Sequence, residues 1–407
     1  MKNRRKIIND PVHGFITMPS DFLYDVVQHP YFQRLGRVKQ LGLTYMVYPG
    51  AQHTRFQHSL GAMHLMDEAV AQLRLKGNLI TEEEAQGALL AILLHDLGHA
   101  PFSHVLEDAF ADGVTHEHIS LAMMEQMNRE MGGKLDVAIA IFKNEYPKMF
   151  LHQLVSSQLD MDRLDYLMRD SFFTGVVEGA VGTDRIINML DVADDQLVVE
   201  AKGIYSIEKF LIARRIMYWQ VYFHKASVAA EQVLLNLLRR AKELALDGAE
   251  LFASPQLRFF LYNRVTKADF EKGGEALLHF AMMDDSDIVC ALKVWEQHPD
   301  RIISMLSKCL INRRLFKVEV NDSPMTVEKR TEVTRRYAEE LGLADDECRY
   351  LFSEVPVSAN TYSHKDYKIN VLYGDGTLCD IAEASDMLDI SMLSKQVKKY
   401  YYCYLKV

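Results

Sequence analysis

The sequence predicts a mainly α protein: a helical core, a small inserted β-hairpin, and a smaller α+β C-terminal subdomain. Three observations carry this. Apolar residues recur at helical spacing through most of the stretch from Gln52 to Leu246. The segment Ala85–Leu94 is apolar all round, the pattern of a helix buried on every side. Beyond about residue 250 the character shifts, with strand-like Arg314–Val320 and Ile369–Leu372 and the turn Tyr373-Gly374-Asp375-Gly376-Thr377. The expected division is therefore a core over 1–246, with its motif region at 50–170, and a C-terminal subdomain over 247–407.

In chain order, Asn9-Asp10-Pro11-Val12-His13-Gly14 is turn-forming, and Leu23–Lys39 reads as a short helix. Gly42–Gly50 reads as a loop and Gln52–Leu75 as a helix. Thr81-Glu82-Glu83-Glu84 supplies a hydroxyl and, three residues on, a carboxylate, the capping-box start of the next helix. Further helices are expected at Ser103–Phe110, Glu117–Met131, Leu135–Phe142, Phe150–Leu159, Asp162–Ser171, Asp184–Leu190 and Ile207–Leu246. Val192–Tyr205 suggests a hairpin set among helices. The tail Lys398-Lys399-Tyr400-Tyr401-Tyr402-Cys403-Tyr404 is β-prone and reads as an edge strand or oligomer contact rather than a nucleic-acid platform.

The chain has 407 residues, 49% hydrophobic and 25% charged, an ordinary globular composition. No apolar run approaches the length needed to span a bilayer, so no membrane partner is expected. The basic opening Met1–Asp10 lacks the apolar stretch of a signal peptide. Five scattered cysteines without a CxxC fit reduced thiols in a cytoplasmic protein, not metal ligands. A net charge of −10 makes nucleic acid an unlikely partner, since such binding needs a positive field.

Eight of the fifteen histidines fall between His53 and His118, far above an even spread. Neutral imidazole is the commonest side-chain metal ligand and the usual acid or base near pH 7. The buried helix ends in His95-Asp96, and a carboxylate there is costly unless paired or metal-bound. Upstream, Arg55 and His58 share a helix face at i and i+3. Downstream, Asp162, Tyr166 and Asp170 recur at i, i+4 and i+8, and Arg214, Tyr218 and Tyr222 repeat that spacing. Three helices could thus present ligands, cations and phenols to one cleft.

In order and rough spacing, His58, His95-Asp96 and Asp162 match the H…HD…D signature of the HD-domain phosphohydrolases. The longer blocks around them, Asn9–Gly14, Lys39–Gly42, Tyr48–Ala51, His53–Gly61 and His95–His104, resemble the deoxynucleoside triphosphate triphosphohydrolases, a branch that includes the SAM-and-HD-domain enzymes. The likeness covers roughly residues 7–225 and implies an HD-domain helical core. It implies that His58, His95, Asp96 and Asp162 bind a divalent metal ion, with manganese, iron, magnesium and zinc all compatible with mixed imidazole and carboxylate ligands. It implies hydrolysis of a deoxynucleoside triphosphate at the α-phosphate, releasing deoxynucleoside and inorganic triphosphate. His104 would be the general acid, oriented by Glu107 and His116, with His99 and Arg55 holding phosphates and Arg163 aiding. Gln40, Leu41, Tyr166, Asp170, Arg214 and Tyr222 match positions that cradle sugar and triphosphate, a phenol excluding the ribose hydroxyl. A homo-oligomer, dimer or tetramer, is implied as well.

The chain also departs from the family pattern. Gln28 and Gly36 stand where GTP-regulated relatives carry an acid and an arginine, Glu107 replaces an aspartate, and Phe223 replaces a polar residue. No SAM domain is expected before the core. Two other readings remain: an HD phosphohydrolase acting on nucleoside monophosphates or cyclic nucleotides, and a nucleotide-sensing or RNA-binding regulator with little turnover. His13, His64, His152, His224, His279, His298 and His364 are read as structural or surface residues, and Arg169 as a helix ion-pair partner.

Overall fold

Asp10 accepts the backbone N–H groups of Val12 and His13, and this closes a short antiparallel hairpin, β1 (Ile7–Asp10) and β2 (Gly14–Thr17). The structure, a computed structural model, describes residues 6–102, 113–359, 362, 367–386 and 397–406, without the Lys272 side chain. The expected helix Ser103–Phe110 lies outside the described residues.

The expected helix Leu23–Lys39 is two helices, α1 (Asp21–Gln28) and α2 (Pro30–Arg34), followed by a 3-10 turn at Leu35–Arg37. Pro30 is the reason: it forces His29 into an extended conformation, and His29 then caps α2 through the Tyr31 N–H. The expected loop at Gly42–Gly50 contains a 3-10 turn, Gly42–Met46.

α3 (Arg55–Leu75) and α4 (Glu82–Leu94) form the centre, α4 starting at the Thr81–Glu84 capping box. Every α4 residue from Gly87 to Leu94 is buried, as its apolar circumference requires. α4 packs on α3, on α6 (Asp136–Phe142) and on α7 (Met149–Val155), while α5 (His116–Glu130) runs alongside α6. α8 (Met161–Thr174) lies against α3, and Gly175 ends it in the left-handed conformation, φ 75°. Next comes α9 (Thr183–Met189), then the inserted hairpin β3 (Leu190–Ala193) and β4 (Gln196–Glu200). Its Asp194-Asp195 turn has φ 51° and 60°, the two positive values a tight two-residue hairpin needs.

The expected single helix Ile207–Leu246 is broken. α10 (Ile204–Met217) passes into a π-helical turn at Tyr218–Tyr222, and His224 caps a new helix, α11 (Lys225–Leu246). The wider π turn shifts the register between Tyr218 and Tyr222, so plain i, i+4 spacing no longer describes that stripe.

Beyond it run α12 (Pro255–Tyr262), α13 (Lys267–Phe270), α14 (Glu275–Met282), α15 (Asp285–Trp295) and α16 (Arg301–Ile311), the last packed along α11. β5 (Lys317–Asn321), α17 (Val327–Leu341), α18 (Asp345–Cys348) and β6 (Phe352–Ala359) follow, then β7 (Asn370–Leu372), β8 (Leu378–Asp380), α19 (Ile381–Ala384) and β9 (Val397–Tyr404). β9 is the middle strand of the sheet β5-β9-β6, so the tyrosine-rich tail is not an edge strand. Tyr401, Tyr402 and Tyr404 are buried, which explains their apolar bulk. β7 pairs in parallel with β4, giving the sheet β3-β4-β7-β8 and tying the C-terminal residues to the inserted hairpin. One continuous apolar core contains residues from both sides of the 246/247 boundary. Among the described residues no helix is long and apolar enough to cross a membrane.

Candidate active site and metal centre

The end of α4 delivers His95 and Asp96 beside the first turn of α3, which carries Arg55 and His58, and the first turn of α8, which carries Asp162. His95 Nδ1 donates to the Ile92 carbonyl at 2.5 Å, and His58 Nδ1 donates to Asp165 Oδ2 at 2.8 Å. Each ring is thereby fixed with Nε2 turned inward. Both Nε2 atoms are buried and, among the described residues, neither has an aligned hydrogen bond, although Asp162 Oδ1 stands 3.1 Å from one and 3.4 Å from the other. Ligand atoms of His58, His95 and Asp162 all lie within 4.8 Å of one another. Two bare imidazole nitrogens and a carboxylate oxygen aimed at one point fit a divalent cation.

Asp96, the fourth expected ligand, adjoins this cluster: Oδ2 is 3.8 Å from His58 Nε2, and Oδ1 is 3.3 Å from His95 Nε2. Its oxygens also meet Arg55 Nη1 at 2.6 Å and His99 Nε2 at 3.2 Å. Burial alone would raise the Asp96 pKa, but Arg55, His95 and His99 hold it well below the usual carboxylate range. Burial likewise disfavours the His58 imidazolium, yet Asp162, Asp165 and Asp96 outweigh it and push its pKa up to about 10. The pocket has a strong surplus of negative potential, the setting in which a cation is held.

Behind His58 lies a set of residues that the sequence reading did not assign to the site. Asp165 is fully buried and joins His58 on one oxygen and His13 Nε2 on the other, the latter at 2.6 Å. Arg169, also fully buried, donates to both Asp165 oxygens at 2.9 Å and to Asp10 at 2.8 Å. His13 is read from the sequence as structural or surface and Arg169 as a helix ion-pair partner; Arg169 does form that i, i+4 pair with Asp165, and both residues hold the carboxylate that orients His58. The Asn9–Gly14 block was the available signal, and the Asp165/Arg169 spacing of i, i+4 was the other. A second support is His53 Nε2 to Asp170 Oδ1 at 2.7 Å. A third is Arg34, which donates to the carbonyls of Leu97 and His99 and to Met283, fixing the turn after Asp96.

The cluster opens into a cavity of about 680 Å³, within the usual range for small-molecule sites. Of the expected residues, Gln40, Leu41, Arg55, His95, Asp96, His99, His116, Asp162, Tyr166, Asp170 and Tyr222 line it. His99 stacks on His116 with ring centroids 4.0 Å apart, whereas His118 sits at the Thr115 cap of α5. Tyr222 donates to Asp170 Oδ2 at 2.8 Å, and burial keeps the Tyr166 and Tyr222 phenols neutral by raising their pKa values. His58, Arg163 and Arg214 are not among the residues that line it. Arg163 pairs with Asp160, the α8 N-cap. Arg214 is nearly buried beside the Tyr218 ring, and its Nε and Nη1 have no hydrogen-bond partner among the described residues. His104 and Glu107 lie outside the described residues.

The HD domain family profile matches residues 55–170, and the HD associated region matches residues 181–260. The crystal structure of a phosphohydrolase from Bacteroides thetaiotaomicron VPI-5482 superposes with a TM-score of 0.95 at 60% identity, covering 99% of this chain and 100% of that one. The uncharacterized protein YwfO of Bacillus subtilis (strain 168) is 36% identical over 328 residues, 78% of this chain and 73% of its own length. The deoxynucleoside triphosphate triphosphohydrolase SAMHD1 homolog of Dictyostelium discoideum is 32% identical over 260 residues, 58% of this chain; the chain spans 50% of that protein's length. The chain belongs to the HD-domain phosphohydrolases, with relatives among the SAMHD1 triphosphohydrolases. The histidine and aspartate cluster is accordingly the candidate centre for a divalent metal ion.

Proposed function

We propose that this chain is a metal-dependent hydrolase of deoxynucleoside triphosphates that releases deoxynucleoside and inorganic triphosphate. The observation that carries the reading is the continuity of one cavity, which joins the His95 and Asp162 end of the cluster, with the Arg55, His99 and His116 side chains, to Tyr166 and Asp170 further along α8 and to Tyr222 on the π-helical turn. A monophosphate or cyclic nucleotide would leave the Arg55, His99 and His116 group without phosphates to hold. That favours a triphosphate.

A bound divalent cation would supply Lewis acidity at the α-phosphate and activation of a water. His58, His95 and Asp162 would hold it, with Asp96 completing the set. Arg55 and His99 would rotate from Asp96 toward phosphate oxygens, a guanidinium fork suiting that geometry. Water oxygen bonds to the α-phosphorus, the bond from phosphorus to O5′ breaks, and O5′ takes a proton. His104, with Glu107 and His116, is assigned that proton by resemblance. The neutral Tyr166 and Tyr222 rings would pack on the sugar, and Tyr222 would leave no room for a 2′-hydroxyl. Assembly as a homo-oligomer belongs to the same reading.

The test incubates metal-loaded protein with each deoxynucleoside triphosphate and its ribonucleotide, identifying products by phosphorus NMR. Triphosphate from deoxynucleotides, absent in Asp162→Ala, is expected. Pyrophosphate or monophosphate as the only product would remove the reading.

A further inference from the structure

The far end of the cavity is built differently from the metal end. Asp162, Tyr166 and Asp170 climb α8 in steps of four residues, so Asp170 lies about 12 Å along the helix from Asp162. Tyr222 is bonded to Asp170, and the same cavity is lined by the adjoining Phe223, by Val228 and Glu231 on α11, and by Val355–Ser358 on β6. A nucleotide with its phosphates at the cluster and its sugar at Tyr166 and Asp170 therefore places its base in this region. β6 is an edge strand of its sheet, and it seals the compartment with Val355, Pro356 and Val357.

Among the described residues, Glu231 supplies the one carboxyl group at this apolar end. It is half-buried, and among the described residues no hydrogen bond or ion pair reaches it. A carboxyl kept in apolar surroundings without a partner is unfavourable unless a ligand completes it. We propose that Glu231 reads the Watson–Crick edge of the substrate base and makes guanine the preferred one. The inference rests on the triphosphohydrolase reading for the direction in which the nucleotide lies.

The chemistry selects guanine. A carboxylate is an acceptor on both oxygens. Among the four bases, only guanine presents two adjacent donors, N1–H and the 2-amino group, on that edge. Adenine and cytosine present one donor beside one acceptor, which leaves a carboxylate oxygen facing a lone pair. Burial pushes the Glu231 carboxyl up to about 7, so two donated hydrogen bonds would favour its charged form. A site that hydrogen-bonds a ligand group rejects the analogue lacking it far more strongly than an apolar wall does.

The experiment compares wild type, Glu231→Gln and Glu231→Asp. It measures kcat/KM for dGTP, dITP and dATP by triphosphate release, and binding of deoxyguanosine, deoxyinosine and deoxyadenosine by calorimetry. Wild type should prefer dGTP, with dITP intermediate because inosine lacks the 2-amino donor. The dGTP to dATP ratio should fall about tenfold or more in Glu231→Gln, whose amide offers one donor and one acceptor. Glu231→Asp should keep the order with reduced affinity. An unchanged ratio in a Glu231→Gln protein that unfolds cooperatively at or above the wild-type Tm would overturn the proposal. If no protein releases triphosphate, the function reading fails, and the nucleoside affinities still decide the role of Glu231.

Discussion

Asp165 Oδ2 lies 2.8 Å from His58 Nδ1, and the carboxylate is itself held by His13 and by a fully buried Arg169. The imidazole of a candidate metal ligand is thus oriented by a carboxylate that His13 holds from the turn between β1 and β2 and Arg169 holds from one turn along its own helix, α8. Such supports commonly govern metal affinity. Asp165→Asn keeps the shape but removes the charge. It should weaken divalent-metal affinity by about 10- to 100-fold. Breaking the buried pair with Arg169 should also cost about 3–5 kcal/mol of stability. Metal titration of the folded variant separates the two: unchanged affinity with a lowered Tm would make Asp165 merely structural.

Gly98 is enclosed by α5. A methyl group there would lie 2.0 Å from the His116 carbonyl oxygen and 2.4 Å from the Ser120 nitrogen, both backbone atoms that cannot swing aside. Ser120 meanwhile donates to the His95 carbonyl and accepts from Gly98. Gly98→Ala should therefore destabilise by about 2–3 kcal/mol and pull His116 off His99. A denaturant midpoint within error of wild type would contradict this.

Tyr222 gives a graded test of sugar choice. Tyr222→Phe loses the bond to Asp170 but keeps the ring, so discrimination against ribonucleotides should persist. Tyr222→Ala opens the wall and should raise the ribo-to-deoxy ratio of kcat/KM about tenfold or more. Equal ratios in both variants would place the ring elsewhere than at C2′.

Glu231 also predicts a pH dependence of stability. Burial raises its folded-state pKa from 4.5 to about 7, so the folded protein binds this proton more tightly than the unfolded chain. Its contribution is fully present below about pH 4.5 and is lost as pH rises to about 7. The neighbouring Cys403 thiol, pushed up to about 12, stays neutral throughout. Glu231→Gln should therefore raise Tm relative to wild type more at pH 8 than at pH 5. A pH-independent difference would refute the raised pKa.

Much of the site was legible because its residues come in contiguous blocks. His95-Asp96 follows a helix whose all-apolar face announces burial, and His53–Gly61 carries Arg55 and His58 one turn apart. The supports were not legible in the same way: His13 and Asp165 are 152 residues apart, and only the fold brings them together. The Asp165–Arg169 spacing was visible, but its burial was not. Pro30 did signal the break in Leu23–Lys39. The π turn at Tyr218–Tyr222 had no such marker, since no residue type dictates that register. The β-prone tail was read correctly as a strand, but its central place depends on β5 and β6, which pair with it from distant sequence.

The most direct measurement is oxygen tracing in ¹⁸O-water with metal-loaded protein and a deoxynucleoside triphosphate. Attack at the α-phosphorus puts the label in the inorganic triphosphate and none in the deoxynucleoside, and Asp162→Ala abolishes both products. Label in a nucleoside monophosphate or pyrophosphate, or in the 5′-hydroxyl of the nucleoside, would contradict the account.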